Sequence, residues 1–573
     1  MVAAATANGS DVSLVRRIGF WLGLVLFVLI LCLPTPDGMR RVVRDSFHDA
    51  IQAKVAPLAA TESSLDDVMA RLTTQEVERR ARIMMAAAAV TVLVGCWWIT
   101  VAVPIPITSL LPLVLFPFVG VMPIQQAAAP YANSNVFLFM GGFIIALGIE
   151  RWGLHRRIAL QIVRVVGSSP STIVLGFMLA SAFLSMWISN TATTLMMLPI
   201  GLAVITASGG EHCDGAAVRK SNFAAALMLG IAYAASIGGI ATPIGTPPNI
   251  AFRGQFARLY PAGPEISFGQ WIILFVPLVM IFLPLVWLVL VRVTCHVGGT
   301  HLAFGRDTVA DQLRRLGPMR SAERRMLAVF AATVLLWMTR SVPVGEANYG
   351  WAALLEAWAG DGTTGSIVFQ RSYINDATVA VLMAVLLFIV PAPRDSEGDG
   401  EHRVRLMNWE TAERLPWGIL LLFGGGFSIA AAFSTSGLSV WCGHVFTSLG
   451  LRDPLVTVAG TCTLMTSLTE ITSNTATTNV MLPVLAGAAD SIAVNPLLLM
   501  LPATISASCA FMMPVATPPN AIVFGSGYVD MGRMVKTGII LNLIGVVIVT
   551  ACFYLIAGPA LGIEPDVQPA WAR

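Results

Sequence analysis

Long apolar runs separated by short polar stretches fill most of the chain. They fall at about 19–33, 83–103, 107–122, 135–149, 173–206, 221–250, 268–292, 326–339, 377–391, 416–433, 455–487, 496–525 and 537–557. A helix needs roughly 20 apolar residues to cross a bilayer, so the pattern predicts an all-α polytopic membrane protein. Two runs are unusual. The 173–206 run is interrupted by Ser189-Asn190-Thr191-Ala192-Thr193-Thr194, and the 455–487 run by Ser473-Asn474-Thr475-Ala476-Thr477-Thr478. Each holds two half-helices with a polar tip between them, which predicts a re-entrant hairpin. Hydroxyls and amides at membrane depth need partners, so the two tips are where a ligand is expected.

The amino-terminal run, Gly19 to Leu33, follows Arg16-Arg17 and resembles a signal peptide in outline. Pro34-Thr35-Pro36-Asp37-Gly38 follows it instead of a small-residue cleavage site, so a first span is predicted. Residues 35–82 are polar, with eight basic and eight acidic side chains. Within them Leu65, Val68, Met69 and Leu72 have helical spacing, and Ser63 with Asp66 forms a candidate capping box. A surface helix in an inserted loop is the expectation.

The tips belong to a wider repeat. Phe139-Met140-Gly141-Gly142-Phe143 matches Phe423-Gly424-Gly425-Gly426-Phe427, and Gly153-Leu154 matches Gly437-Leu438, both at the offset of 284 that relates the tips. Pro243-Ile244-Gly245-Thr246-Pro247-Pro248-Asn249 matches Pro514-Val515-Ala516-Thr517-Pro518-Pro519-Asn520 at an offset of 271. Four features in one order imply two homologous halves. If the hairpins do not cross, the 416–433 run is an odd number of crossings after its copy at 135–149, so the repeats are inverted. Interrupted helices at corresponding positions of inverted repeats point to a secondary transporter. The expected organisation is an N-terminal span plus polar insertion (1–82), a first repeat (83–292, hairpin 173–206), a cytoplasmic connecting loop (293–325), a second repeat (326–561, hairpin 455–487) and a tail (562–573). About 11 transmembrane helices plus two hairpins result. Arginines set the sidedness: Arg306, Arg314, Arg315, Arg320, Arg324 and Arg325 place the 293–325 loop inside. The amino terminus is then cytoplasmic and the carboxyl terminus extracytoplasmic.

Composition sharpens the class. Hydrophobic residues make up 56% and charged residues 12% of the 573, where soluble domains carry about 25% charged. The net charge of +3 is spread over loops and gives no sign of a nucleic-acid partner. Eight cysteines without a CxxC pair read as small apolar side chains rather than metal ligands. The seven histidines lie in or beside polar loops, and no HExxH occurs. An intramembrane enzyme therefore lacks its constellation, and an anion channel would need a continuous polar pore in place of closed hairpins.

At a broken helix, unpaired carbonyls suit a cation, and unpaired N–H groups at the positive end of the dipole suit an anion. Serine, threonine and asparagine side chains serve either. No Lys or Arg lies within 171–206, 221–250, 455–487 or 496–525, so an anion there must be held by dipoles, hydroxyls, amides and co-bound cations. Glu470 is the only acid in these windows, and a structural carboxylate fits it better than a proton site.

The paired Ser-Asn-Thr tips with Thr-Pro-Pro-Asn breaks resemble the divalent-anion/sodium symporters, the INDY-type sodium-coupled dicarboxylate transporters. The similarity runs from about Ile83 to Gly558, and Trp97-Trp98-Ile99-Thr100 with Pro104-Ile105-Pro106 fits as well. The resemblance implies a homodimer in a bacterial inner (plasma) membrane. It further implies a scaffold part and a transport part, mainly 135–250 and 416–525, that moves as an elevator. It puts one sodium site on Ser185, Ser189, Asn190 and Gly245. The other falls on Thr469, Thr472, Asn474 and Ala516, with Thr472 and Ala516 acting through carbonyls. Substrate carboxylates would meet Asn190, Thr191, Thr246, Asn474, Thr475, Thr517 and Pro518. Sodium is the co-transported ion, and no organic cofactor is implied. The expected substrate is a C4-dicarboxylate such as succinate, fumarate or malate. Sulfate, citrate or tartrate on the same scaffold remains open, as do proton coupling and sodium-independent exchange. The 35–82 insertion is longer than the family pattern.

Overall fold

The computed structural model describes residues 9–47, 51–52, 65–166, 169–208, 221–297, 303–344, 347–359, 370–392, 404–447 and 453–572. It is helical apart from a two-residue-per-strand hairpin, Pro343–Val344 with Ala347–Asn348. Among the described residues eight helices are long and apolar enough to cross a membrane, and five shorter apolar ones of 10–17 residues accompany them. The protein is therefore a polytopic membrane protein, as its pattern predicts.

Both hairpins start the same way. Ser169 and Asp453 cap the helices Pro170–Ser185 and Pro454–Thr469, accepting from the N–H of Thr172 (3.3 Å) and Val456 (3.0 Å). The proline after each cap lacks the N–H that a first turn leaves unpaired, so it costs nothing there. Asn190–Ser208 and Asn474–Ser491 return from the tips. The two helices of each interrupted run follow as Asn222–Gly238 with Pro247–Leu259, and Leu497–Ser506 with Pro518–Gly525. The repeat is thus carried by matched elements as well as matched residues. Gly141 explains one conserved small position within the repeat. A Cβ there would lie 2.8 Å from Cβ of Ala380, so the helices Ser134–Arg151 and Asp376–Ile389 touch closely.

Three apolar cores divide the molecule. The largest surrounds both hairpins and also takes in Phe268–Leu288 and Met531–Cys552. Ser134–Arg151 packs chiefly with Asp376–Ile389, and Trp417–Ser436 lies between this core and that of Leu65–Thr100. The expected polar surface helix is not separate. It continues into the second span as one helix, Leu65–Thr100, so a boundary at 82/83 falls inside an element. Leu72 packs on the core, while the capping box at Ser63 and Asp66 and the side chains of Leu65, Val68 and Met69 lie outside the described residues. The short helix Asp37–Ser46 lies against this long one, with Thr35 and Arg40 both bonded to Glu78 at 2.8 Å. The connecting loop carries a helix of its own, Ala303–Arg315. Arg157 is buried against it, bonded to Glu323 (2.7 Å) and the Gly317 carbonyl (2.9 Å), and so adds little free charge to the loop arginines.

Candidate functional site

The Thr-Pro-Pro-Asn motifs break their helices for a local reason. A residue before proline is pushed to extended backbone. Thr246 and Thr517 both sit at φ −139°, with the paired prolines opening Pro247–Leu259 and Pro518–Gly525. The segments before them, 242–246 and 507–517, are not α-helical. One asparagine side chain crosses each segment. Asn249 Nδ2 donates to the carbonyls of Gly239 (3.2 Å), Ile240 (3.4 Å) and Thr242 (2.8 Å). Asn520 Nδ2 donates to those of Ala510 (3.0 Å) and Met513 (3.1 Å).

At the first tip Ser189 Oγ caps the returning helix, accepting from the Ala192 N–H at 3.3 Å. Ser185 Oγ donates to Asn190 Oδ1 at 2.6 Å. With the amide turned over, its nitrogen instead reaches Ser185 Oγ (2.6 Å) and the Ala235 and Gly245 carbonyls (3.2 Å each). Every neighbour of that end of Asn190 is therefore an oxygen. An amide nitrogen there is a donor to three acceptors, and an amide oxygen there calls for a cation among them. Two more oxygens are close by. A Cβ added at Gly245 would lie 2.6 Å from the Gly239 carbonyl oxygen and 2.9 Å from that of Ser185, so only glycine fits. Ser185, Asn190 and Gly245 thus lie together, and Ala235 and Gly239, which carried no sequence signal, join them. Thr191 is half-buried and Thr246 buried.

The second tip repeats the arrangement. Thr469 Oγ1 donates to Asn474 Oδ1 (2.5 Å) and lies 2.9 Å from the Ala507 carbonyl. Thr472 Oγ1 donates to the Leu468 carbonyl at 2.6 Å and pairs with the Thr477 hydroxyl. Thr517 Oγ1 accepts from the Asn520 N–H at 3.3 Å. Ala516 is tied to Met513 (3.2 Å) rather than to Asn474. Asn474 is half-buried, Thr475 buried and Pro518 exposed.

Glu470 departs from the symmetry, since Met186 occupies its place in the first repeat. Its carboxylate accepts from the backbone N–H of Phe511 (2.7 Å), Met512 (3.0 Å) and Met513 (3.0 Å), and from Asn542 Nδ2 (2.7 Å). It clamps the second non-helical segment. At Met186 a backbone carbonyl accepts from the Thr242 hydroxyl instead.

The two halves wall each other. Asn190–Ser208 packs on Pro518–Gly525, and Asn474–Ser491 packs on Pro247–Leu259. Gln255 Nε2 bridges to Asn479 Oδ1 (2.9 Å), and Tyr233 Oη to the Phe511 carbonyl (2.8 Å). Arg253, on the helix Pro247–Leu259, pairs with Asp376 Oδ2 at 2.7 Å.

Comparison with known proteins decides the family. A model of the sodium:sulfate symporter transmembrane region matches residues 73–559. The chain belongs to that family. Members of the sodium:sulfate symporter family are transporters, not enzymes. Among curated relatives, the sodium-dependent dicarboxylate transporter SdcS of Staphylococcus saprophyticus is 42% identical over 477 residues, 83% of this chain and 86% of that one. SdcS of Staphylococcus aureus strain MRSA252 is 41% identical over the same shares. Among solved structures, the Alcanivorax borkumensis YdaH transporter matches with a TM-score of 0.46 and 15% identity over 73% of this chain and 84% of that chain; so distant a likeness bears on none of the site residues.

Proposed function

We propose that the protein is a sodium-coupled symporter that imports a C4-dicarboxylate such as succinate, fumarate or malate. The observation that carries this reading is the twofold tip. Ser185 against Asn190 and Thr469 against Asn474 gather side-chain oxygens, beside backbone carbonyls that suit sodium. The helices that start at Asn190 and Asn474 direct N–H groups and positive dipole ends outward, which suits a carboxylate at each tip. A dianion with its charges at its two ends fits two such tips. Since the tip and break segments carry no Lys or Arg and the Arg253 charge is paired with Asp376, co-bound sodium supplies the positive charge, so substrate binding follows sodium. The names of the relatives at 41–42% identity agree with this substrate.

In this reading Ser185, Ser189, Asn190 and Gly245 hold one sodium ion, and Thr469, Thr472, Asn474 and Ala516 the other. Asn190, Thr191, Thr246, Asn474, Thr475, Thr517 and Pro518 line the carboxylates. The moving body in this reading is centred on the largest apolar core, whose buried residues run from Ala159 to Val309 and from Val458 to Ile563, a division shifted from 135–250 with 416–525. It sends 135–149 and most of 416–433 to the scaffold of a homodimer. The amino terminus is cytoplasmic and the carboxyl terminus extracytoplasmic.

Uptake of labelled succinate into proteoliposomes tests the reading. Uptake should rise steeply with an inward sodium gradient, and the absence of any sodium response overturns it. The family's description names sulfate, which favours that anion as the second reading. A competition panel of sulfate, citrate and tartrate against succinate separates the two.

A further inference from the structure

The amides of Asn249 and Asn520 are not explained by helix breaking, which the prolines already accomplish. Both are fully buried. Under the offset of 271, Gly239 and Thr242 correspond to Ala510 and Met513, so the two side chains hold corresponding carbonyls. Each also leaves Oδ1 buried without a hydrogen-bond partner. An unpaired buried oxygen is costly, and here the cost is carried twice at matched positions. Both sites use the amide for its protons. One held carbonyl in each half adjoins the cation region: the Gly239 oxygen lies within contact range of Gly245, with Asn190 Oδ1 beside the Gly239 Cα, and the Met513 carbonyl also accepts from the Ala516 N–H at 3.2 Å. Free carbonyls in a non-helical segment would drift or re-form a helical turn. A donor bonded to two or three of them fixes their spacing and direction.

We propose that Asn249 and Asn520 are positioning residues for the two sodium sites, setting the carbonyl geometry that each cation reads without touching it. The proposal rests on the sodium-coupled reading above and deepens it. The first amide acts on the Ser185–Asn190 site and the second on the Thr469–Asn474 site. Each should therefore set sodium affinity, and substrate affinity only through sodium.

The test uses the full chain with Asn249→Ala, Asn520→Ala and the isosteric Asn249→Asp and Asn520→Asp, which turn an acceptor toward the carbonyls. Succinate uptake in proteoliposomes gives the half-saturating sodium concentration and the KM at saturating sodium. Thermal melting in detergent is compared in sodium chloride and choline chloride. The expected result is a half-saturating sodium concentration raised about tenfold, the scale of a lost buried hydrogen bond, with KM at saturating sodium nearly unchanged. The sodium-dependent part of the melting temperature should shrink as well. Wild-type protein that gains no stability from sodium sinks the underlying reading. If the wild type gains and the variants gain as much, with unchanged sodium activation, the positioning role is overturned. Equal losses of melting temperature in both salts, or failure of all four variants to fold, would also overturn it by assigning the amides to the fold alone.

Discussion

Thr469 Oγ1 lies 2.5 Å from Asn474 Oδ1, and 284 residues earlier Ser185 Oγ lies 2.6 Å from Asn190 Oδ1. A hydroxyl five residues before each tip asparagine is thus held against it in both halves. In the proposed sodium sites, removing it would take one oxygen from the cation and let the asparagine rotate. Ser185→Ala and Thr469→Ala should each raise the half-saturating sodium concentration by about tenfold, the scale of one lost buried hydrogen bond. Thr469→Ser, which keeps the oxygen, should stay close to wild type in the same uptake assay.

Asn190 and Asn474 border both kinds of ligand in the proposed site. Asn190→Ala and Asn474→Ala should weaken sodium activation and succinate uptake together. A variant that loses substrate affinity while keeping wild-type sodium activation would contradict a tip shared by ion and anion.

Glu470 is a structural clamp with four donors on one buried carboxylate. In Glu470→Gln an amide group meets backbone N–H groups, and at least one donor loses its acceptor. The expected cost is about 2 kcal/mol of stability, read by denaturant titration of purified protein in mixed micelles. Proton-coupled uptake should not appear or vanish with this variant, because the carboxylate is fully occupied by N–H donors.

Asp376 is 1% exposed and accepts from Arg253 (2.7 Å), Arg340 (2.7 Å) and the Phe268 N–H (3.0 Å). Asp376→Ala leaves two buried guanidinium groups with lost partners. A loss of about 3–5 kcal/mol is expected, and the same titration measures it.

The hairpins, the repeat and the residues of the tips are legible in the sequence because a polar string inside an apolar run has few structural uses. Its second copy removes most of those left. Three other features were not legible, each for a physical reason. The helix Leu65–Thr100 runs from a polar stretch into an apolar one with no glycine or proline until Gly95, so the change in polarity at 82/83 marks no change in backbone. The contacts of Asp376 link residues 36 and 123 positions away, which local pattern cannot reach. Asn249 and Asn520 were visible as part of a matched motif. Their work is done by side-chain protons across the break, and the prolines beside them account for the break by themselves. The same holds for Glu470, whose partners are three consecutive N–H groups about forty residues later.

The packing of Asn190–Ser208 on Pro518–Gly525, and of Asn474–Ser491 on Pro247–Leu259, has a consequence for how the tips respond to change. Each tip gathers its oxygens from its own half, but the helix behind it leans on the other half. A disturbance on either side is therefore passed to both tips.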